Sequence, residues 1–329
     1  MTTLADPPSS LLDPYGTLQP FGRYRGAIAD TGTGTWDRPS FGARRRLQRK
    51  SWIYAGVFHP DFMLGWAIAD VGYLGTAFLY VYDRARRVMA EEKVELPFGF
   101  EQHFVPSLHA HWSLGIGRRR WIAAPDGDGL RLAAEGERVS CELAFPSLAG
   151  GMSALAPSRH RPFNYTYKRL CAEVKVRARL DDRTFEHTLP AGGAIDFTLG
   201  YPPRNTRWNW ACLQGTTEDG TAFGINLVAH FNDQLENVMW IGDEMVPLGS
   251  SEFTFEPPAE ARPWRVRVPG DGVDLAFTPE GARRDRKNFG VLAHDFVQPF
   301  GRFEGTVTHR GRALRVEGFG VVEDHVSRW

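Results

Sequence analysis

Three cysteines, Cys141, Cys171 and Cys212, are too few and too scattered, with no CxxC pair, to build a disulfide framework or a thiolate zinc centre. No stretch approaches the roughly 18 apolar residues a membrane helix needs. The N-terminal MTTLADPPSSLLDPYGTLQP lacks the basic region and apolar core of a secretory leader. Net charge is missing as well: 39 Lys+Arg balance 39 Asp+Glu, so the total recommends neither nucleic acid nor an acidic partner. Sustained helical periodicity with caps is also absent. These absences point to a soluble, cytoplasmic protein built almost wholly from strands.

What is present agrees. Glycine (35) and proline (22) are plentiful, aromatics reach 12%, and 329 residues suit two domains of ordinary size or one large β structure. From Ser51 onward SWIYAGVFHP, FMLGWAIADV, LGTAFLYVYDR and RRVMAEEKVEL read as an antiparallel meander with short turns. In LCAEVKVRARL, Ala172, Val174, Val176 and Ala178 face one way and Glu173, Lys175, Arg177 and Arg179 the other, a strand with one wet face. SLAGGMSALAPSRHRP is rich in Gly, Ser, Ala and Pro and lacks periodicity, which makes it the expected linker. The expected division is an N-terminal coil over 1–20, a first barrel-like domain over 21–147, a linker over 148–162 and a second barrel-like domain over 163–329.

The stretch from Asn205 to Glu244 concentrates tryptophans, asparagines and carboxylates in three consecutive strands. Side chains alternate along a strand, so Trp208, Trp210 and Cys212 share one face while Arg207, Asn209 and Ala211 share the other. Asp219-Gly220 supplies the positive φ of a tight hairpin. On the returning strand Phe223, Ile225 and Leu227 form an apolar row, with Gly224, Asn226 and Val228 opposite. Glu236, Val238 and Trp240 then look the same way. Polar groups among aromatics at strand spacing suit a lined pocket; a half-exposed sheet with ordinary surface polars is the other reading.

Other motifs carry less. Gly32-Thr-Gly34 has no preceding parallel strand or following helix and does not read as a dinucleotide turn. The basic run Arg44, Arg45, Arg46, Arg49, Lys50 opens a strand as a solvated approach, or else touches an anionic membrane surface peripherally. His109 and His111, two apart on an expected strand, have the spacing of some β-barrel metal sites, yet no third and fourth ligand is evident, so no metal is expected. Glu280 to Asn288, EGARRDRKN, reads as a loop. Glu323 and His325 share a strand face, either as an acid–base pair or as a surface salt bridge. Gln19-Pro-Phe-Gly-Arg-Tyr-Arg-Gly26 recurs as Gln298-Pro-Phe-Gly-Arg-Phe-Glu-Gly305, which suggests related closing roles at barrel ends.

RNTRWNWA, the Gly224-x-Asn226 strand, Glu236-Asn237-x-x-Trp240, QPFGRFEG and the terminal Glu323 to Trp329 together resemble the bacterial DUF2804 family. More distantly, the pattern is similar to calycin-like proteins that pair two lipocalin-type barrels: the AttH group, carotenoid 1,2-hydratases, tocopherol cyclase and lipocalin-like Diels–Alderases. The resemblance implies an all-β fold of two lipocalin-like antiparallel barrels or curved sheets. In the hydratases an Asp-His-x-Trp-Gly motif precedes a Trp-x-Trp-like strand. The counterpart here is Asp196-Phe-Thr-Leu-Gly200 before Arg207-Trp208-Asn209-Trp210, with Phe197 where the histidine would stand.

Two functions follow as expectations. One is a cofactor-independent hydratase, cyclase or isomerase acting on an isoprenoid- or lipid-like apolar ligand. Asp196 or Glu236 would be the acid, kept protonated by burial; Trp208, Trp210 and Trp240 would be cation-facing walls, and Arg207, Asn226 and Asn237 would orient the ligand. The other is a carrier or sensor that binds a lipid without changing it, its carboxylates ion-paired, with Arg207 and Glu236 as one such pair.

Overall fold

The computed structural model describes residues 4–32, 43–97, 102–159, 161–232 and 234–329. The chain divides between Pro202 and Pro203 into two compact units, each organised around one antiparallel sheet.

The first unit contains β1 (Gly22–Arg25), a short helix α1 (Ala43–Gln48), β2 (Lys50–Phe58), β3 (Phe62–Asp70), β4 (Leu74–Asp83), β5 (Val88–Pro97), β6 (Gln102–Phe104), β7 (Trp112–Ile116), β8 (Arg119–Asp126), β9 (Gly129–Glu135), β10 (Val139–Phe145), β11 (Met152–Ser158), β12 (Arg161–Leu180) and β13 (Arg183–Gly200). The sheet runs β5-β4-β3-β2-β13-β12-β10-β9-β8-β7-β6, with β11 beside the first part of β12 and β1 beside β11. The long hairpin β12–β13 is its spine. Near Cys171, which has φ 51°, the register of β12 shifts, and beyond it β10 replaces β11 as the neighbour. Such irregularities bend a strand and let a sheet curve. The curved inner face buries Ile53, Trp66, Leu79, Trp112, Trp121, Tyr167 and Phe197 in one cluster.

The second unit contains β14 (Asn205–Thr217), β15 (Ala222–Ala229), β16 (Val238–Ile241), β17 (Glu244–Pro247), β18 (Glu252–Phe255), β19 (Trp264–Val268), β20 (Val273–Asn288), β21 (Ala293–His309) and β22 (Arg312–Arg328), ordered β17-β16-β15-β14-β22-β21-β20-β19-β18. Its core gathers Leu213, Ile225, Leu227, Trp264, Val266, Leu275, Phe303 and Val322 on one face. Both units are thus curved antiparallel half-barrels of calycin type, as the sequence implied.

Several local expectations change. The expected linker contributes β11, whose residues Met152 to Ala156 are all buried. A strand covered on both faces shows no alternation, so it reads like a linker. The division between units falls at 202/203 instead. Glu280 to Asn288 continues β20, its charges alternating along a strand paired with β21. The repeated segments are not equivalent: Gln19 to Gly26 leads through the short β1 at the periphery of the first sheet, whereas Gln298 to Gly305 lies inside β21, between β20 and β22. Thr33 and Gly34 of the Gly32-Thr-Gly34 turn lie outside the described residues. Part of the basic run forms α1 and folds inward. Arg46 and Arg49 both bond Asp70, and the Lys50 ammonium donates to the carbonyls of Leu47 and Val71, each at 2.7 Å. His109 and His111 precede β7 in a turn begun by Pro106 and Ser107, so no strand aligns them; the rings of His111 and His103 lie with centroids 5.9 Å apart.

Candidate functional site

Strand alternation places the polar residues of the second unit on the sheet face opposite its hydrophobic cluster. Trp208, Trp210, Asn226, Val238 and Trp240 lie there, as do Glu323, His325 and Ser327 of β22 and His294 and Phe296 of β21. Because β14, β22 and β21 are consecutive neighbours, Trp208 faces His325, and His325 faces Phe296 in the next strand. Residues distant in sequence meet by register alone.

The result is a chain of proton-handling groups. Glu323, His325 and Ser327 follow at two-residue intervals on β22, all at most 6% exposed. His325 Nε2 lies 2.6 Å from Ser327 Oγ, and the same hydroxyl lies 3.2 Å from His294 Nδ1. At one end His325 Nδ1 stands 4.0 Å from Glu323 Oε1; at the other His294 Nε2 stands 3.9 Å from Asp285 Oδ2. Trp208 closes the inner end, its ring centroid 3.7 Å from that of His325 and its indole N–H directed to Glu323 Oε2 at 3.5 Å. Burial holds the His325 imidazole well below the ordinary histidine range, and His294 and Arg283 push the same way. His325 is therefore neutral at pH 7.

A neutral imidazole carries one N–H and one lone pair. The serine hydroxyl both donates and accepts, so the two hydrogen bonds on Ser327 can run in either direction. Reversing both exchanges the tautomers of the two rings. A proton arriving at His325 Nδ1 is matched by one leaving His294 Nε2, and a carboxylate faces each end.

This relay opens on a cleft of about 470 Å³ at the strand ends, lined by His294 and Ser327 together with Arg207, Arg286, Lys287 and Arg328. Asp295, also in the lining, lies 3.4 Å from Arg286. Cations outnumber carboxylates here, so the cleft attracts negative charge.

The sequence profile of the DUF2804 family, described as a domain of unknown function, matches residues 3–329. The chain belongs to the DUF2804 family. No curated protein matches it. Among solved structures it is similar to a protein assigned as AttH from Nitrosomonas europaea, at 15% identity and TM-score 0.50 over 84% of this chain and 91% of that one. It is likewise similar to kievitone hydratase from Nectria haematococca, at 12% identity and TM-score 0.52 over 84% of this chain and 88% of the other. At these identities the likeness establishes the shared fold.

In this DUF2804 chain the residues singled out in the sequence fall into separate places. Asp196 belongs to the first unit, where its carboxylate meets the Lys168 ammonium at 2.7 Å, both almost fully buried. Glu236 precedes β16 and accepts from the Asn232 amide, while Arg207, largely exposed, lies 3.7 Å from Asp324; the Arg207–Glu236 pair does not form. Asn226 accepts from Trp210 Nε1 at 2.8 Å and donates to the Glu236 carbonyl at 2.9 Å. Asn237 accepts from the Val228 N–H and donates to the Gly249 carbonyl, each at 2.7 Å. Both amides thus hold the sheet together. Trp210 and Trp240 are buried on the same face as Trp208. Glu323 and His325 are buried rather than a surface pair. The sequence reading missed Ser327 and His294. Ser327 could have been found by extending the two-residue spacing from Glu323 and His325, but His294 becomes visible only once β21 is known to pair with β22.

Proposed function

We propose that this DUF2804 protein is a cofactor-independent lyase or isomerase of the hydratase or cyclase kind, moving a proton to or from a small molecule held in the cleft of the second unit. One observation carries the reading: a hydrogen-bonded His325–Ser327–His294 chain, with the Glu323 carboxylate 4.0 Å from its buried end, reaches a cleft of substrate size. His294 is the group that gives or takes the proton at the ligand, and Ser327 couples it to His325. Glu323 and Asp285 stabilise the ends as charge shifts. The hydratase chemistry of one structural relative is compatible with such a site. Arg207, Arg286, Lys287 and Arg328 line the cleft and Ala293 and Val326 are its two apolar lining residues, so the lining favours a small anionic ligand over the isoprenoid- or lipid-like one expected from the sequence.

Within this reading Asp196 is a buried anion neutralised by Lys168, and the acid role passes to His294. Glu236, Asn226 and Asn237 support Trp210 and the strand ends, and Trp208 backs His325. The same ion pair favours a second reading, a carrier whose carboxylates are paired and which binds without turnover.

The two readings separate when purified protein is incubated with a small-molecule extract without added nucleotide. Catalysis predicts that one or more compounds are converted, and that His325→Gln and Ser327→Ala slow the conversion by roughly 10²-fold, the scale of general acid–base catalysis. A carrier enriches a compound unchanged, equally in wild type and variants.

A further inference from the structure

The hairpin between β2 and β3 holds His59-Pro60-Asp61, and His187 on β13 stands beside it. The nitrogens of the two histidines and the carboxylate oxygen of Asp61 all lie within 4.8 Å of one another, the one such group of three among the described residues. The imidazoles face each other with centroids 4.4 Å apart. Phe62 forms an apolar floor, 5.3 Å from His59 and 5.7 Å from His187 and stacked on Phe185 at 4.7 Å, while the Arg84 guanidinium acts electrostatically on His59. The turn is pinned on both sides, by His59 N–H to the Phe62 carbonyl at 3.1 Å and by Arg84 N–H to the Asp61 carbonyl at 3.0 Å.

The orientation of His59 is informative. Its Nδ1 accepts the Asp61 backbone N–H at 3.2 Å, so that nitrogen presents its lone pair, and the same atom lies 3.7 Å from Asp61 Oδ2. An unprotonated ring nitrogen and a carboxylate oxygen this close together both attract a cation held between them. A metal there takes the place of the long N–H bond. His187 supplies a second nitrogen from the neighbouring strand, and Asp61, 62% exposed, keeps the outer side open to water.

We propose that His59, Asp61 and His187 form a site for a divalent first-row transition metal. Two imidazoles and one carboxylate suit borderline ions such as Zn²⁺, Co²⁺ or Ni²⁺ rather than Mg²⁺ or Ca²⁺, which take oxygen ligands. Zinc bonds of about 2.0–2.1 Å with nitrogen and oxygen require the three atoms to close up by small side-chain rotations, which an exposed hairpin allows. Three protein ligands leave a coordination position for water or an exogenous ligand. Bound metal fastens the β2–β3 hairpin to β13.

Calorimetric titration of the full chain with Zn²⁺ tests this. One ion per chain is expected at this site, with affinity lowered at least the roughly tenfold that loss of even an outer partner costs in His59→Gln, His187→Gln and Asp61→Asn. His111→Gln, in the separate histidine pair, leaves it unchanged. Ring ¹⁵N resonances of His59 and His187 in the unaltered protein should move on zinc addition, a readout independent of how the variants fold. No zinc binding, binding indifferent to His59 and His187, or binding lost only in His111→Gln overturns the proposal.

Discussion

Lys168 and Asp196 form a contact whose energy turns on desolvation. Two charges at 2.7 Å with 3% and 10% of their side chains exposed attract strongly, but both have given up hydration. Removing one partner is costlier than removing both. Asp196→Asn is expected to lower unfolding free energy by about 3–5 kcal/mol, the usual effect of stranding a buried charge; an unchanged denaturation midpoint contradicts the pairing. Lys50 is a second buried cation, which burial brings down to about 7, against the opposing pull of Asp70. The unfolded chain keeps that proton until about 10.4, so between pH 7 and that value the unfolded state binds more protons and stability rises with pH. Urea denaturation should show this rise from pH 7 to 8.5, below the range where tyrosines ionise, and Lys50→Met should flatten it. An identical slope in the variant would assign the titration elsewhere.

At the level of strands, Asn237 stands for the polar groups that the sequence suggested as ligand contacts. Its amide closes backbone groups of two other segments, Val228 and Gly249, so Asn237→Ala leaves a buried N–H and a carbonyl without their partner. A loss of ~1–3 kcal/mol is expected for each stranded group, read as a lower urea midpoint; a ligand-contact role alone would weaken binding and leave stability intact. The faces of β14 and β15 were readable because Trp208 and Trp210 alternate with Arg207, Asn209 and Ala211, and β15 does the same. Alternation assigns a residue to a face but does not say which face holds the core. Asn226, Val238 and Trp240 do share a face, but Glu236 lies in the turn before β16, outside the strand alternation, and the hydrophobic cluster lies on the other face. Pairing partners were equally hidden. His294 joins Ser327 by register across β21 and β22, and His59 joins His187 beyond the last paired residues of β2 and β13.

Across the whole chain the all-β class followed from composition and from the lack of helical periodicity, and the DUF2804 motifs proved to extend through both units. The division between units was not readable because β11 is buried on both sides, and β12 and β13, which follow the expected linker, pair back onto β10, β11 and β2 of the first sheet. In the proposed reaction the proton exchanged with the ligand passes through His294, which Ser327 couples to His325. The direct measurement is conversion of a cleft ligand in D₂O, with the product analysed by mass spectrometry for deuterium on carbon. Transfer of that proton to the ligand gives one deuterium per turnover in wild type and none above background in His294→Gln. A product without deuterium, or one labelled equally by that variant, would contradict it.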